Sequence, residues 1–245
     1  SSYNALQAKL TKRYSNGISV LTHYTLQTHK NNDGDYFFID PNVNYGPANF
    51  IRTHVFVLAA NAELPFGKGH RWASDASGLK QAIIGDWQVN TNVTIQSGLP
   101  FNVDYRDSGA DRDTGPNRPD LIGDPANGSG DGITSPYFNV TPIGTSGSAF
   151  GRPAAGTFGS LPRNELRGPG WWNVGASLFK RFRFAGDTSL EFRIEVQNLF
   201  NHINLNNPDA NIGVPGNNNA NAGFITSMAP NALPRNLQFA LRFQF

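Results

Sequence analysis

The stretch "NLQFALRFQF" (236–245) decides how this chain is read. Leu237, Phe239, Leu241, Phe243 and Phe245 take every second place. Asn236, Gln238, Ala240, Arg242 and Gln244 lie between them. A period of two sends the two sets to opposite faces of a β-strand. Most chain ends fray into polar tails, whereas this one stops on a phenylalanine inside the pattern.

The same alternation recurs upstream. Asn4 to Tyr14 sets Leu6, Ala8 and Leu10 against Gln7, Lys9, Thr11 and Arg13. "SNG" (15–17) is a tight-turn signal. Ile18 to His29 sets Ile18, Val20, Thr22, Tyr24 and Leu26 against Ser19, His23, Thr25 and Gln27. A third strand is expected over Arg52 to Leu64, with Phe56, Leu58, Ala60 and Ala62 on its apolar face. A fourth runs from Ile84 to Gln96, with Trp87, Val89, Val93 and Ile95 together. A fifth spans Trp171 to Phe184, where Lys180 interrupts the apolar parity of Trp172, Val174, Leu178 and Phe182. A bulge near Phe179 or a snorkelling lysine would explain that break. A sixth carries Leu190, Phe192, Ile194 and Val196 and extends its apolar face toward Phe200.

These strands run to ~10–13 residues, against a usual ~5–6 in soluble proteins. A tilted strand needs about 9–11 residues to cross a bilayer. Connections alternate in length too. Short or moderate links follow the odd strands, at 15–17, 65–82 and 185–187. Long Gly-, Pro- and Asn-rich loops follow the even ones, at 31–49, 97–168 and 201–234. This asymmetry is that of an outer-membrane barrel, with short periplasmic turns and long extracellular loops. The fold class expected is therefore all-β: antiparallel, up-and-down transmembrane β-barrel strands, about seven in number. Aromatics near strand ends (Trp171, Trp172, Phe182, Phe184, Phe200) suit interfacial girdles.

Composition narrows the function. Twenty Lys+Arg against 18 Asp+Glu leave a charge of +2, too small for a strongly basic nucleic-acid surface. With no cysteine there is neither a disulfide framework nor a thiolate metal site. No apolar run reaches the length of a membrane helix, which leaves strand-based spanning open. GxSxG, P-loop, GxGxxG and HExxH patterns are missing, so no catalytic residues are assigned. His23 and His29 share a parity six residues apart, about 20 Å on a strand, too far to share one metal. Asp104, Asp107, Asp111, Asp113 and Asp120 crowd one loop. Ca²⁺ and loop-ligand contact are weighed there, but the EF-hand order is not met, and a solvated loop is the favoured reading. "NGSGDG" (127–132) carries only a single copy of a Ca²⁺-repeat-like pattern. Glu191, Arg193, Glu195 and Arg242 face the expected lumen.

Six stretches, in order, resemble the C-terminal barrel of TonB-dependent outer-membrane receptors of the Oar-like group, which carry a carboxypeptidase-regulatory-like domain. They are "SSYNALQAKLTKRYSNGISVLTHYT", "ELPFGKG", "GDWQVNTNVTIQSGLPFNV", "NRPDLIGDP", "FRIEVQNLFNHINL" and "RNLQFALRFQF". The resemblance implies a 22-stranded barrel around a plug, driven by TonB and importing a bulky nutrient: oligosaccharide, peptide or siderophore. It implies that Leu237, Phe239, Leu241, Phe243 and Phe245 are an assembly signal for the barrel-assembly machinery. The chain is then the C-terminal third of a longer receptor, with membrane lipid, plug, upstream strands and TonB as partners and no nucleic acid. An open seven-strand sheet has unpaired edges that lipid cannot satisfy, which also asks for further strands. Two rivals remain at this stage: a small surface barrel with adhesive loops, and a soluble β-sandwich binding carbohydrate through Tyr105, Tyr137 and Phe138.

Overall fold

The computed structural model describes residues 1–32, 40–105, 118–184, 188–213 and 219–245. Seven strands form a continuous antiparallel path in chain order. They are β1 (Ser2–Ser15), β2 (Ile18–Asn31), β4 (His54–Glu63), β5 (Trp87–Gln96), β10 (Trp171–Arg183), β11 (Ser189–Gln197) and β12 (Asn236–Gln244). An eighth, the two-residue β3 (Gly46–Pro47), adds to the upper end of β2. In the loops, β6 (Pro100–Phe101) pairs with β9 (Leu166–Arg167), and β7 (Asp120–Leu121) with β8 (Phe150–Gly151).

The alternation in the sequence becomes two-sidedness in the sheet. One row of paired residues across six strands reads Ile18, Ala62, Val89, Leu178, Ile194, Phe239. The next row reads Ser19, Asn61, Asn90, Ser177, Glu195, Gln238. Successive residues point to opposite faces, so one surface is a wall of aliphatic and aromatic groups and the other is polar. The apolar surface is uncovered: Leu6, Leu10, Phe239, Leu241 and Phe243 are all exposed. The sheet is open, with β1 and β12 each paired on one side only.

At the first turn, Asn16 and Gly17 both take positive φ, 53° and 75°. A two-residue hairpin loop needs that left-handed geometry at both places. A register shift between Lys12 and Ser15 lies just before it.

Several expectations are corrected. Ile84 does not open a strand; it ends a short helix, α1 (Gly78–Ile84), that carries the expected 65–82 link on to residue 86, and β5 begins at Trp87. Seven residues are too few to show a helical period. Phe200 lies beyond β11. No bulge occurs at Phe179, since β10 keeps unbroken register with both β5 and β11 there. Lys180 instead stays on the apolar face with its ammonium turned into α1. The 185–187 turn, and 33–39 within the 31–49 loop, fall outside the described residues.

The buried core is not in the sheet. Phe101, Val103, Tyr105, Phe138, Ile143, Phe150, Leu161 and Ile212 form one cluster contributed by the 97–168 and 201–234 loops. Nothing in a one-sheet wall resembles a sandwich, so the soluble-sandwich rival fails on architecture. Its proposed sugar platforms fail as well: Tyr105 and Phe138 are buried, and Tyr137 is packed against the same cluster.

Candidate loop cap and inner wall

At one end of the sheet the two long loops make a packed cap. Its centre is aromatic, with Phe138 lying 5.8 Å from Phe101 and 6.2 Å from Phe150, ring centroid to centroid. Asp104 joins the loops by backbone: its N–H donates to Ala210 O (3.1 Å), and Ile212 N–H donates to its O (2.9 Å).

A buried polar knot ties the cap to the 31–49 loop. Arg163 is buried, and its guanidinium donates to Asn31 Oδ1 (2.5 Å) and Asn49 Oδ1 (3.1 Å). Asn164, also buried, donates through Nδ2 to Pro47 O (2.6 Å) and Asn49 Oδ1 (2.5 Å). Its backbone N–H meets Asn102 Oδ1 at 2.6 Å. A buried guanidinium is stable only with such partners. No sequence pattern announces this knot, because Arg163 and Asn164 lie more than 100 residues from Asn31 and Asn49.

The "QNLFNHIN" stretch (197–204) fastens the other loop. Asn198 takes positive φ and donates to His202 O and Leu233 O at 2.9 and 3.0 Å. Asn204 Nδ2 donates to Trp172 O (2.9 Å) while its Oδ1 accepts from Trp172 N–H (2.8 Å). His202 stacks on the Trp172 ring at 4.1 Å, and Phe200 approaches it at 5.9 Å. The aromatic rim expected near Trp172 is therefore built partly by the loop.

Below the cap the polar face of β5, β10 and β11 carries a cleft of about 510 Å³ lined by Asn90, Asn92, Asn173, Ser177, Glu195 and Gln197 among others. Gly175 keeps it open: a Cβ there would collide with Asn92 Oδ1. Nearer the turns the wall becomes charged. Glu191 binds Arg181 at 2.8 Å and Arg193 at 2.9 Å, and Arg193 reaches Glu195 at 3.2 Å. The Arg193 guanidinium also lies 4.6 Å from the Phe179 ring centroid. Phe179, Arg181 and Glu191 border a second cleft of about 290 Å³ with Glu63, His70, Asp86, Gln88 and Arg183.

Of the four lumen charges singled out in sequence, Glu191, Arg193 and Glu195 form one network. Arg242 is aligned with Glu191 across β11 and β12, but the oxygens of Glu191 are engaged by Arg181 and Arg193. Arg181 is the network member that sequence reading missed. Leu237, Phe239, Leu241 and Phe243 lie on the apolar face of β12, with Phe245 fully exposed just past its end.

Asp107, Asp111 and Asp113 fall outside the described residues. Asp120 Oδ1 accepts from Ser160 N–H at 2.8 Å. In "NGSGDG", Asp131 turns on its own successors. It accepts from the backbone N–H of Ile133, Thr134 and Ser135 and from the Thr134 hydroxyl. Those bonds hold its carboxyl down at about 2. Among the described residues no three His, Asp or Glu side chains group as metal ligands.

No helix among the described residues is long and apolar enough to cross a membrane, a fact silent on β-barrels. Comparison with curated proteins and with solved structures returned no match. A family model described as an outer membrane beta barrel domain matches residues 1–238, nearly the whole chain. The two-faced meander thus has its family: this chain belongs to the outer membrane beta barrel domain family and resides in the bacterial outer membrane.

Proposed function

We propose that the chain forms barrel wall and substrate mouth of a TonB-dependent receptor that takes up a bulky nutrient: oligosaccharide, peptide or siderophore. One observation carries the reading: a largely apolar band on one face of the sheet, opposed by a polar wall and bounded by two open edges. Open edges in lipid leave N–H and C=O groups unsatisfied. Further strands of the same receptor are the proposed partners of β1 and β12, with a plug against the charged wall. TonB and the barrel-assembly machinery act on the whole receptor, and the chain has no catalysis of its own. The short turns face the periplasm, and the cap faces outward as the mouth.

Two measurements test this. The coding frame upstream of Ser1 is expected to continue through alternating strands into a plug. Uptake of the cognate nutrient, found from a panel of labelled oligosaccharides, peptides and siderophores, is expected to vanish without TonB. A small, closed barrel whose surface phenotype ignores TonB would refute transport. It would favour the display reading, which draws support from the separately packed cap.

A further inference from the structure

The helix α1 is unaccounted for by wall or mouth. It leaves the sheet at the turn end and is fastened to the apolar face, not the polar one. Trp87 and Lys180 are paired neighbours on that face. Trp87 Nε1–H donates to Ile83 O at 2.9 Å. The Lys180 ammonium donates to Ile83 O (3.4 Å) and to Gly85 O. It also lies 4.9 Å from the Trp87 centroid and 5.2 Å from that of Phe182. Lys180 is only 3% exposed. A lysine on a lipid-facing wall is costly. Here its charge is spent on the orphan carbonyls at the end of α1.

So held, α1 turns its own apolar groups outward. Leu79 and Ile83, one helical turn apart, are 77% and 59% exposed. They extend the apolar band past the end of the strands. Behind α1 a cleft of about 430 Å³ is lined by Lys68, Gln81, Lys180, Phe182, Arg183 and Phe184, among others. Arg181 also borders it but is paired with Glu191. Lys68 forms no ion pair among the described residues, whereas Arg183 and Asp86 also border the inner-wall cleft. A lysine beside aromatics, at the edge of an apolar band, matches the boundary between acyl chains and phosphates.

We propose that α1 and this cleft are a docking surface for phospholipid of the inner leaflet of the outer membrane. Leu79 and Ile83 enter the acyl boundary, and Lys68 meets headgroup phosphate. The inference rests on the proposed orientation, with the turns on the periplasmic side.

Residues 1–245 contain no cysteine, so single labels are unambiguous within them. The whole receptor, reconstituted in vesicles of phosphatidylethanolamine and phosphatidylglycerol, would carry a fluorophore at Leu79→Cys, Ile83→Cys, Ser129→Cys or Phe239→Cys. Lipids brominated near the top of the acyl chain are expected to quench the labels at 79 and 83. Aqueous iodide is expected to quench the label at 129. Labels at 79 and 83 quenched by iodide as fully as that at 129 overturn the proposal. The label at 239 tells which reading failed. If it is quenched by bromolipid, only α1 is misassigned; if it too is in water, the barrel reading falls first.

A second arm tests the phosphates. Lys68→Ala is expected to reduce the preference of the 79 label for phosphatidylglycerol over phosphatidylcholine by about five-fold. An unchanged preference overturns the headgroup contact. Retained heat-modifiable migration in detergent gels verifies that each variant has folded.

Discussion

Asn204 grips Trp172 by both of its backbone groups, accepting from the N–H at 2.8 Å and donating to the C=O at 2.9 Å. A side-chain amide here replaces the neighbouring strand that the end of β10 lacks. Asn204→Ala would leave both groups of Trp172 unmatched. The expected cost is about 1–3 kcal/mol of cap stability. Faster amide exchange at Trp172 and quicker proteolysis within 198–234 check it. Asn204→Asp keeps the acceptor alone and is expected to fall between wild type and Ala.

The aromatic centre of the cap obeys the ordinary rules of an aqueous core. Phe138→Ala is expected to cost about 3–5 kcal/mol. The loss is expected to be local: protease sensitivity should rise across 118–168 while the sheet still migrates as folded in detergent gels.

On the apolar wall the sign of the substitution matters more than its volume. Phe239→Arg, in the middle of β12, is expected to cost about 2–4 kcal/mol if it lies near the bilayer midplane. Unfolding titrations in lipid vesicles would measure it. Deleting Phe245 is expected to reduce the yield of assembled protein in the outer membrane. Unchanged yield would refute the assembly-signal role.

The charged network gives a smaller and salt-sensitive effect. Glu191→Gln removes the shared partner of Arg181 and Arg193. Because both arginines are substantially exposed, a loss of about 1 kcal/mol or less is expected. Added salt should shrink the difference from wild type.

Asp131 makes the 131–135 turn acid-sensitive. Its folded pKa of about 2 lies below its ordinary 3.8. The turn's stabilisation is therefore complete above pH 4 and is lost as pH falls toward 2. Amide exchange at Ile133 and Thr134 is expected to be constant down to about pH 4 and, once corrected for intrinsic rate, to speed up below it. Asp131→Asn should abolish that step.

Strand alternation was legible because a period of two maps directly onto two faces. Hence the six-strand rows through Ile18 and Ser19 agree with the parities read from sequence. The cap was not legible. Arg163, Asn164, Asn31 and Asn49 have no shared period, and their meeting depends on how the 97–168 loop returns over the 31–49 loop. Lys180 was visible only as a violation. Its explanation needed α1, a helix too short to announce itself. Tyr105 and Phe138 misled in the opposite direction, because aromatics in a loop resemble a binding platform until the loop is known to have an interior of its own.

The clasps at Asn198 and Asn201 have one more consequence. Asn198 reaches Leu233, and Asn201 Oδ1 accepts from Arg235 N–H at 3.1 Å. The two ends of the loop between them are therefore stitched together at its root. Substitutions between these stitches that spare Asn204, His202 and the buried Ile212 are expected to leave the ends of β11 and β12 in place. Such a root fixes both ends of the loop, so that its outer part can vary while the wall beneath it stays the same.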